Sequence, residues 1–176
     1  RVELSDSEVQ KLIDGAASVK DRRFQVLIQL LVETGARKSE VDERKWKDID
    51  LDACSIEVLN TKTGKPRMLF FSAQTAQLMK GVWPEKLSEK MLFESTRASG
   101  AVVNFKKQWN KLTSAIGRAD LRLHDLRHYR AKLLIESGST VAVAAQALGH
   151  SSLILHRRYG HMESKAVQSA VQTSWR

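Results

Sequence analysis

Apolar residues recur at intervals of three and four along most of the chain, which is the period of an amphipathic helix. Capping residues and glycines bound several of these segments. Ser5 and Glu8 have the spacing of a capping box at the first helix, and Gly35 ends the second. The pattern predicts helices over residues 5–17, 21–33, 36–41, 72–81, 102–116, 124–137, 140–148, 151–159 and 163–173.

Between residues 48 and 72 the pattern changes to the alternation that is typical of β-strands. It predicts three short strands, at 49–51, 55–59 and 68–71, and a cationic hairpin at 61–67 turning at Gly64. Residues 81–100 follow neither period and are interpreted as the best candidate for a linker. The predicted fold is therefore mostly α, with one small three-stranded antiparallel sheet (α+β).

The chain has 176 residues, enough for one domain, and residues 1–176 are expected to form a single domain. Because the first residue is Arg1, we expect the domain to be excised from a longer protein. A net charge of +9 and a pI of about 9.8 favour a polyanionic partner, either nucleic acid or an anionic membrane surface. The single Cys54 excludes a disulfide within the chain and fits a reducing cytosol. No apolar run is long enough to span a bilayer.

All five histidines fall between residues 124 and 161. His124 and His128 have the i,i+4 spacing of a zinc-binding helix. However, Arg127 shares their face, and no third ligand follows at a standard interval, although Glu40 or His150 could supply one. A structural alternative has His124 capping its own helix and Arg127 paired with an acid. We expect no metal and no other cofactor.

Anion chemistry fits these residues better. The planar forks of Arg37 and Arg127 match the oxygens of a phosphodiester, which gains negative charge when it is attacked. A nucleophile is then required, and no carboxylate cluster suggests a two-metal site that would activate water. Tyr159, flanked by Arg157 and Arg158, could form a covalent phosphotyrosine. Tyr129 is the other tyrosine of the chain and is interpreted as a packing residue.

Together these residues resemble the motif series of the tyrosine recombinases, and most closely the catalytic domain of phage-type integrases. The resemblance rests on the order and spacing of segments 34–40 (TGARKSE), 61–65 (TKTGK), 124–128 (HDLRH), 148–151 (LGHS) and 159–161 (YGH). It implies the tyrosine recombinase catalytic-domain fold of DNA breaking-rejoining enzymes. It also implies a site-specific recombinase that works through a 3′-phosphotyrosyl intermediate, for integration or excision of a phage or other mobile element.

The resemblance assigns a role to each matching residue. Arg37 and Arg127 would hold the scissile phosphate, and Lys62 would protonate the departing 5′ oxygen. His124 would help to accept the proton of the Tyr159 nucleophile. Two further roles are implied: His150 as a hydrogen-bond donor to a phosphate oxygen, and Glu40 as a supporting residue that orients the site.

The remaining expectations concern binding and assembly. The predicted DNA contacts are Lys65, Arg67, Arg157 and Arg158. The expected partner is double-stranded DNA, bound by a homotetramer in the cytoplasm of a bacterium or phage-infected cell. The C-terminal segment is expected either to pass between protomers or to form a frayed tail. Tyr129 and His156 stand where such enzymes often have threonine. Alternatives are a DNA-binding regulator without catalysis, a topoisomerase of similar chemistry and a metalloenzyme.

Overall fold

The computed structural model describes residues 3–59, 66–85, 89–95, 101–149, 157 and 160. Over these ranges the helices are α1 (Asp6–Ala17), α2 (Arg22–Thr34), α3 (Lys38–Asp42), α4 (Ala73–Val82), α5 (Lys106–Ala115), α6 (Leu123–Glu136) and α7 (Val141–Leu148). The strands are β1 (Ile49–Asp50), β2 (Ser55–Val58) and β3 (Arg67–Phe70). The predicted fold, mostly helical with a three-stranded antiparallel sheet, is confirmed. Among the described helices, none has both the length and the apolar character needed to cross a membrane.

Helix α2 lies at the centre of the core, where α1, α4 and α6 pack against it. Phe24, Leu27 and Ile28 on this helix are fully buried. Gly35 ends α2 in the left-handed region, with φ at +61°, and its N–H donates to the carbonyl of Leu31. A Cβ at this position would lie 2.4 Å from the side chain of Leu148, so the close approach also requires glycine. The end of α2 therefore lies against the end of α7.

The sheet has the order β1-β2-β3, with both pairs antiparallel. Ile56 of β2 lies opposite Leu69 of β3, and both are buried. Met68 and Phe70, which alternate with Leu69, are 42% and 67% exposed. One side of β3 therefore faces the protein and the other faces solvent. The predicted turn of the hairpin, at residues 61–65, lies outside the described residues.

The interpretation of residues 81–100 as a linker is wrong for the part that the structure describes. Leu92 and Phe93 are fully buried, and Trp83 contacts the rings of Phe93 and Trp46 edge-on, with centroid distances of 5.7 and 5.4 Å. The segment belongs to the core. It was missed because its apolar residues follow the period of neither a helix nor a strand.

Helix α5 begins at Lys106, not at Val102 as the periodicity predicts. Val102 instead forms an isolated β-bridge with Glu94, so the chain around Val102 is not helical and α5 begins later. The side chain of Asn104 then accepts a hydrogen bond from the N–H of Lys106, at 2.9 Å. The predicted helix at 163–173 lies outside the described residues, and of 151–159 only residue 157 is described, as helical.

Candidate active site

Three separate parts of the chain meet where α2 and α7 end. The turn after α2 leads to Arg37 and Glu40, α6 carries Arg127, and β3 begins with Arg67. We call these four side chains the arginine–glutamate cluster. The cluster brings together the predicted site residues Arg37, Glu40 and Arg127, and it adds Arg67, which was predicted to contact DNA.

Five of the other predicted site residues lie outside the described residues. They are Lys62, Lys65, His150, Arg158 and Tyr159. Arg157 is described, and its side chain is exposed, as a contact with DNA would require. His156, which departs from the family's usual threonine, is also outside the described residues.

Arg37 is held by the turn between α2 and α3. Its backbone is extended, at φ −71° and ψ 146°, and its N–H donates to Oε2 of Glu40 at 2.7 Å. The guanidinium donates to Oε1 of the same carboxylate at 2.8 Å and to the carbonyl of Gly149 at 3.4 Å. Both ends of Arg37 are therefore fixed by Glu40, and the side chain reaches the end of α7.

Arg127 is almost fully buried, with 1% of its surface exposed. Its Nη1 donates to the carbonyl of Gly35 at 2.7 Å, and its Nη2 donates to the carbonyl of Leu148. Oε2 of Glu40 lies 4.0 Å from Nη1. The side chain therefore joins the ends of α2 and α7, and it has a carboxylate within ion-pair distance.

Glu40 is the only carboxylate of the cluster and is 4% exposed. Burial alone would raise its pKa, but the N–H of Arg37 and the cations of Arg67 and Arg37 outweigh burial and hold the pKa below its ordinary value. Glu40 is therefore ionised at neutral pH. Its two oxygens orient Arg37 and Arg67.

Arg67 lies inside the protein, with 7% of its side chain exposed. Its Nη2 donates to Oε2 of Glu40 at 2.7 Å, and its Nη1 donates to the carbonyl of Ala147. This placement favours a role within the site over contact with the DNA surface. The sequence carried a signal for it, because Arg67 alternates with the buried Leu69 and Phe71.

The cluster has more positive charge than its own carboxylate can neutralise. Three guanidinium groups against one carboxylate leave a charge of +2 (three minus one) among these side chains. Burial, together with the cations of Arg37 and Arg67, lowers the pKa of Arg127 to about 9. A phosphodiester carries one negative charge and gains another as it is attacked, so it complements the cluster in sign and in size.

His124 and His128 lie one turn apart on α6, as their spacing predicts. Their rings meet edge-to-face with centroids 4.9 Å apart. His124 is exposed and His128 is half-buried. Within the described part of the chain, no group of three His, Cys, Asp or Glu side chains comes together as a metal would require.

Tyr129 faces away from solvent, and its hydroxyl donates to Oδ1 of Asp6 in α1, at 2.9 Å. Burial and the Asp6 carboxylate raise the pKa of Tyr129 to about 12. Such a phenol gives very little phenolate at neutral pH, which makes it a poor nucleophile. The packing role expected for Tyr129 agrees with this position.

Several known proteins are similar to this chain in sequence. The sequence profile described as "Phage integrase family" matches residues 3–166. The tyrosine recombinase XerA of Saccharolobus solfataricus is 31% identical over 159 residues, which cover 90% of this chain and 52% of that protein. The chain thus spans about half the length of this relative.

Solved structures are also similar. XerH site-specific recombinase, bound to its difH substrate in a pre-cleavage complex, has a TM-score of 0.71 at 25% identity, covering 96% of this chain and 53% of that one. The catalytic domain of bacteriophage HP1 integrase has a TM-score of 0.66 at 21% identity, covering 97% and 94%. The second likeness shows the fold alone. The family profile matches most of the chain, and the chain therefore belongs to the phage integrase family.

Proposed function

We propose that this chain is the catalytic domain of a tyrosine-type site-specific DNA recombinase, which cleaves and rejoins DNA through a 3′-phosphotyrosyl intermediate. The observation that carries the proposal is the convergence of Arg37 and Arg127, which are distant in sequence, on the carboxylate of Glu40. Two guanidinium groups held by one buried carboxylate are fixed hydrogen-bond donors of the kind that stabilises the charge developing on a reacting phosphate.

The scissile phosphate would bind at the arginine–glutamate cluster. Arg37 and Arg127 would donate to its non-bridging oxygens, and these bonds strengthen as charge develops in the transition state. Glu40 does not react in this mechanism. It keeps the forks oriented so that little reorganisation is needed when DNA arrives.

Chemistry would follow by two transesterifications. In the first, the hydroxyl oxygen of Tyr159 forms a bond to phosphorus while the bond to the 5′ oxygen breaks, with His124 helping to take the phenolic proton and Lys62 giving a proton to the 5′ oxygen. His150 would donate to a phosphate oxygen. In the second, a 5′ hydroxyl of another strand attacks the phosphotyrosine and releases Tyr159. The phosphoester bond is conserved in each step, so no nucleotide cofactor is needed.

The relatives support DNA as the partner, since the XerH structure holds its DNA substrate. The charge of +9 agrees with this partner. We propose a tetramer on paired DNA sites with exchange of the C-terminal segment, and a role in integration or excision of a phage or other mobile element. Because a DNA recombinase acts where its DNA lies, we also propose the cytoplasm of the host cell as the site of action.

Covalent trapping tests the proposal. The chain is incubated with a pool of nicked DNA duplexes of randomised sequence, in which cleavage beside the nick releases a short strand and prevents rejoining. We expect a protein–DNA adduct that survives denaturing electrophoresis, and mass spectrometry of its peptides should place the nucleotide on Tyr159. Tyr159→Phe should form no adduct, and Tyr129→Phe is the matched control that should form it normally.

Three results would contradict the proposal. Absence of an adduct with a pool that the protein binds would indicate a binding module without catalysis, and an adduct with Tyr159→Phe would show that the nucleophile is misassigned. Relaxation of supercoiled plasmid by the monomer, without paired sites, would favour a topoisomerase over a recombinase.

A further inference from the structure

Arg67 occupies a position that the mechanism above does not use. It is the first residue of β3, directly after the hairpin, and its guanidinium bridges two other parts of the protein. One arm binds Oε2 of Glu40 at 2.7 Å, the same oxygen that accepts the N–H of Arg37. The other arm binds the carbonyl of Ala147 in the last turn of α7.

The surroundings of Arg67 are built around it. Gly149, in the left-handed region with φ at +61°, leaves room for the guanidinium, because a Cβ there would lie 3.0 Å from Nε of Arg67. Within the described part of the chain, Nε of Arg67 is buried without a hydrogen-bond acceptor. A buried donor of this kind lowers stability. The two arms of the guanidinium, which bind Glu40 and the carbonyl of Ala147, are what distinguishes Arg67.

The carbonyls at the end of α7 connect Arg67 to the phosphate-facing arginines. Ala147, Leu148 and Gly149 offer their carbonyls to Arg67, Arg127 and Arg37 in turn. A displacement of this turn would therefore shift both arginines of the clamp. A displacement of Glu40 would release Arg37 as well.

We propose that Arg67 is a positioning residue for DNA cleavage, which acts through Glu40 and the end of α7 to hold the Arg37–Arg127 clamp in its reactive geometry. The inference rests on the proposed function. In this proposal Arg67 does not make the DNA contact that the sequence predicted, but holds the two arginines that bind the phosphate. The planar fork is essential to it, since a lysine carries the charge but cannot reach both acceptors.

The test compares Arg67→Gln and Arg67→Lys with the wild type on one nicked duplex recovered from the trapping pool. Adduct formation is followed in single turnover at saturating protein, and DNA affinity is measured separately. We expect both variants to cleave about 10–100-fold more slowly, since a misplacement of about 1 Å can cause a loss of this size. Their DNA affinity should stay within about threefold, since one contact contributes little to a polyanion interface.

Arg44→Gln is the matched control. Arg44 is also a buried arginine, and it contacts the carbonyl of Glu57 at 3.4 Å and the carboxylate of Asp48 at 3.9 Å, outside the cluster. Its variant should melt at a lower temperature and still cleave at the wild-type rate when assayed well below that temperature. If Arg67→Lys cleaves more slowly but melts at the wild-type temperature, the loss of rate reflects a loss of positioning and not a loss of folding.

A double-variant cycle tests the route through Glu40. If Arg67 acts through that carboxylate, Arg67→Gln combined with Glu40→Gln should cleave about as slowly as the slower single variant. If the rate losses of the two single variants multiply in the double variant, Arg67 does not act through Glu40. The positioning role itself would be overturned if Arg67→Gln cleaved at the wild-type rate. It would also be overturned if Arg67→Gln lost as much DNA affinity as cleavage rate. If the wild type forms no adduct at all, it is the proposed function that fails.

Discussion

Replacing Arg127 by methionine should separate stability from activity. The side chain is 1% exposed, and removal of one partner from a buried ion pair ordinarily costs about 3–5 kcal/mol of stability. In Arg127→Met we expect a much smaller loss of stability, because burial and the cations of Arg37 and Arg67 disfavour the charged guanidinium. An apolar side chain of similar length removes that charge and keeps the space filled.

The opposing contributions can be estimated from the structure. A pKa of Arg127 lowered from 12.5 to about 9 corresponds to about 5 kcal/mol against the charged form in the folded protein. At pH 7, below both values, this penalty is fully present, and it fades as the pH rises through 9. Loss of the guanidinium also removes the donor to the carbonyls of Gly35 and Leu148. Each carbonyl left without this hydrogen bond lowers the stability by about 1–3 kcal/mol. The balance lies between a gain of about 3 and a loss of about 1 kcal/mol.

Urea denaturation at pH 7 measures the free energy of unfolding, and single-turnover trapping measures cleavage. Cleavage by Arg127→Met should fall by about 10²–10³-fold, as for loss of a donor to a developing oxyanion. Arg44→Met is the matched control for stability. Arg44→Met should lose more stability than Arg127→Met. Arg44 lies within ion-pair distance of the carboxylates of Glu43 and Asp48, which favour its charge.

Two results would refute this reasoning. A loss of more than about 4 kcal/mol in Arg127→Met would show that the two carbonyl bonds outweigh the burial of charge. Cleavage within about threefold of the wild type would show that Arg127 is not part of a phosphate clamp.

Four further outcomes are expected. Arg37→Ala should slow adduct formation by about 10²–10³-fold and weaken DNA binding less than about tenfold in a titration, because many phosphate contacts share the affinity. Tyr129→Phe should form the adduct normally and lose about 1–3 kcal/mol in urea denaturation, because the hydrogen bond to Asp6 is removed. Ultraviolet titration of the wild type should show one tyrosine that ionises only near pH 12, a signal absent from Tyr129→Phe. Adduct formation should be the same with and without EDTA, because in the proposed mechanism arginine donors, not a metal, stabilise the phosphate.

Each of these has a contrary result. An equal loss of binding and cleavage in Arg37→Ala would make it an ordinary DNA contact. Ionisation of both tyrosines near pH 10 would place Tyr129 in solvent. Inhibition by EDTA that added magnesium or zinc reverses would return the metalloenzyme to consideration.

The helices were predictable because capping residues and glycines coincide with the ends of periodic segments. Ser5 and Gly35 act as the pattern indicates, the first through the capping box with Glu8 and the second in the left-handed region. The failures occurred where apolar residues serve non-periodic structure. Val102 fits a helical period but is used in a β-bridge, and Phe93 lies in a segment without a period and is fully buried.

The cluster was predictable only in part. Arg37 and Arg127 were chosen because two distant arginines could share a phosphate, and the structure brings them together around Glu40. The burial of Arg67 was not predicted, because its place at the end of a cationic hairpin is typical of a surface side chain. Alternation with Leu69 indicated an inward side chain, but a sequence pattern cannot show which carbonyls a buried guanidinium will reach.

Helix α7 packs against α6 through a small apolar cluster that is separate from the main core, in which Ala131 and Ile135 of α6 meet Val141, Ala144, Ala145 and Leu148 of α7. Because this apolar contact is small, the free energy of local unfolding of the helix should be low. Its last turn is tied down by three guanidinium groups. Fraying of this turn would therefore disturb the arginine–glutamate cluster, and binding of the proposed phosphate at the cluster should slow amide exchange in α7.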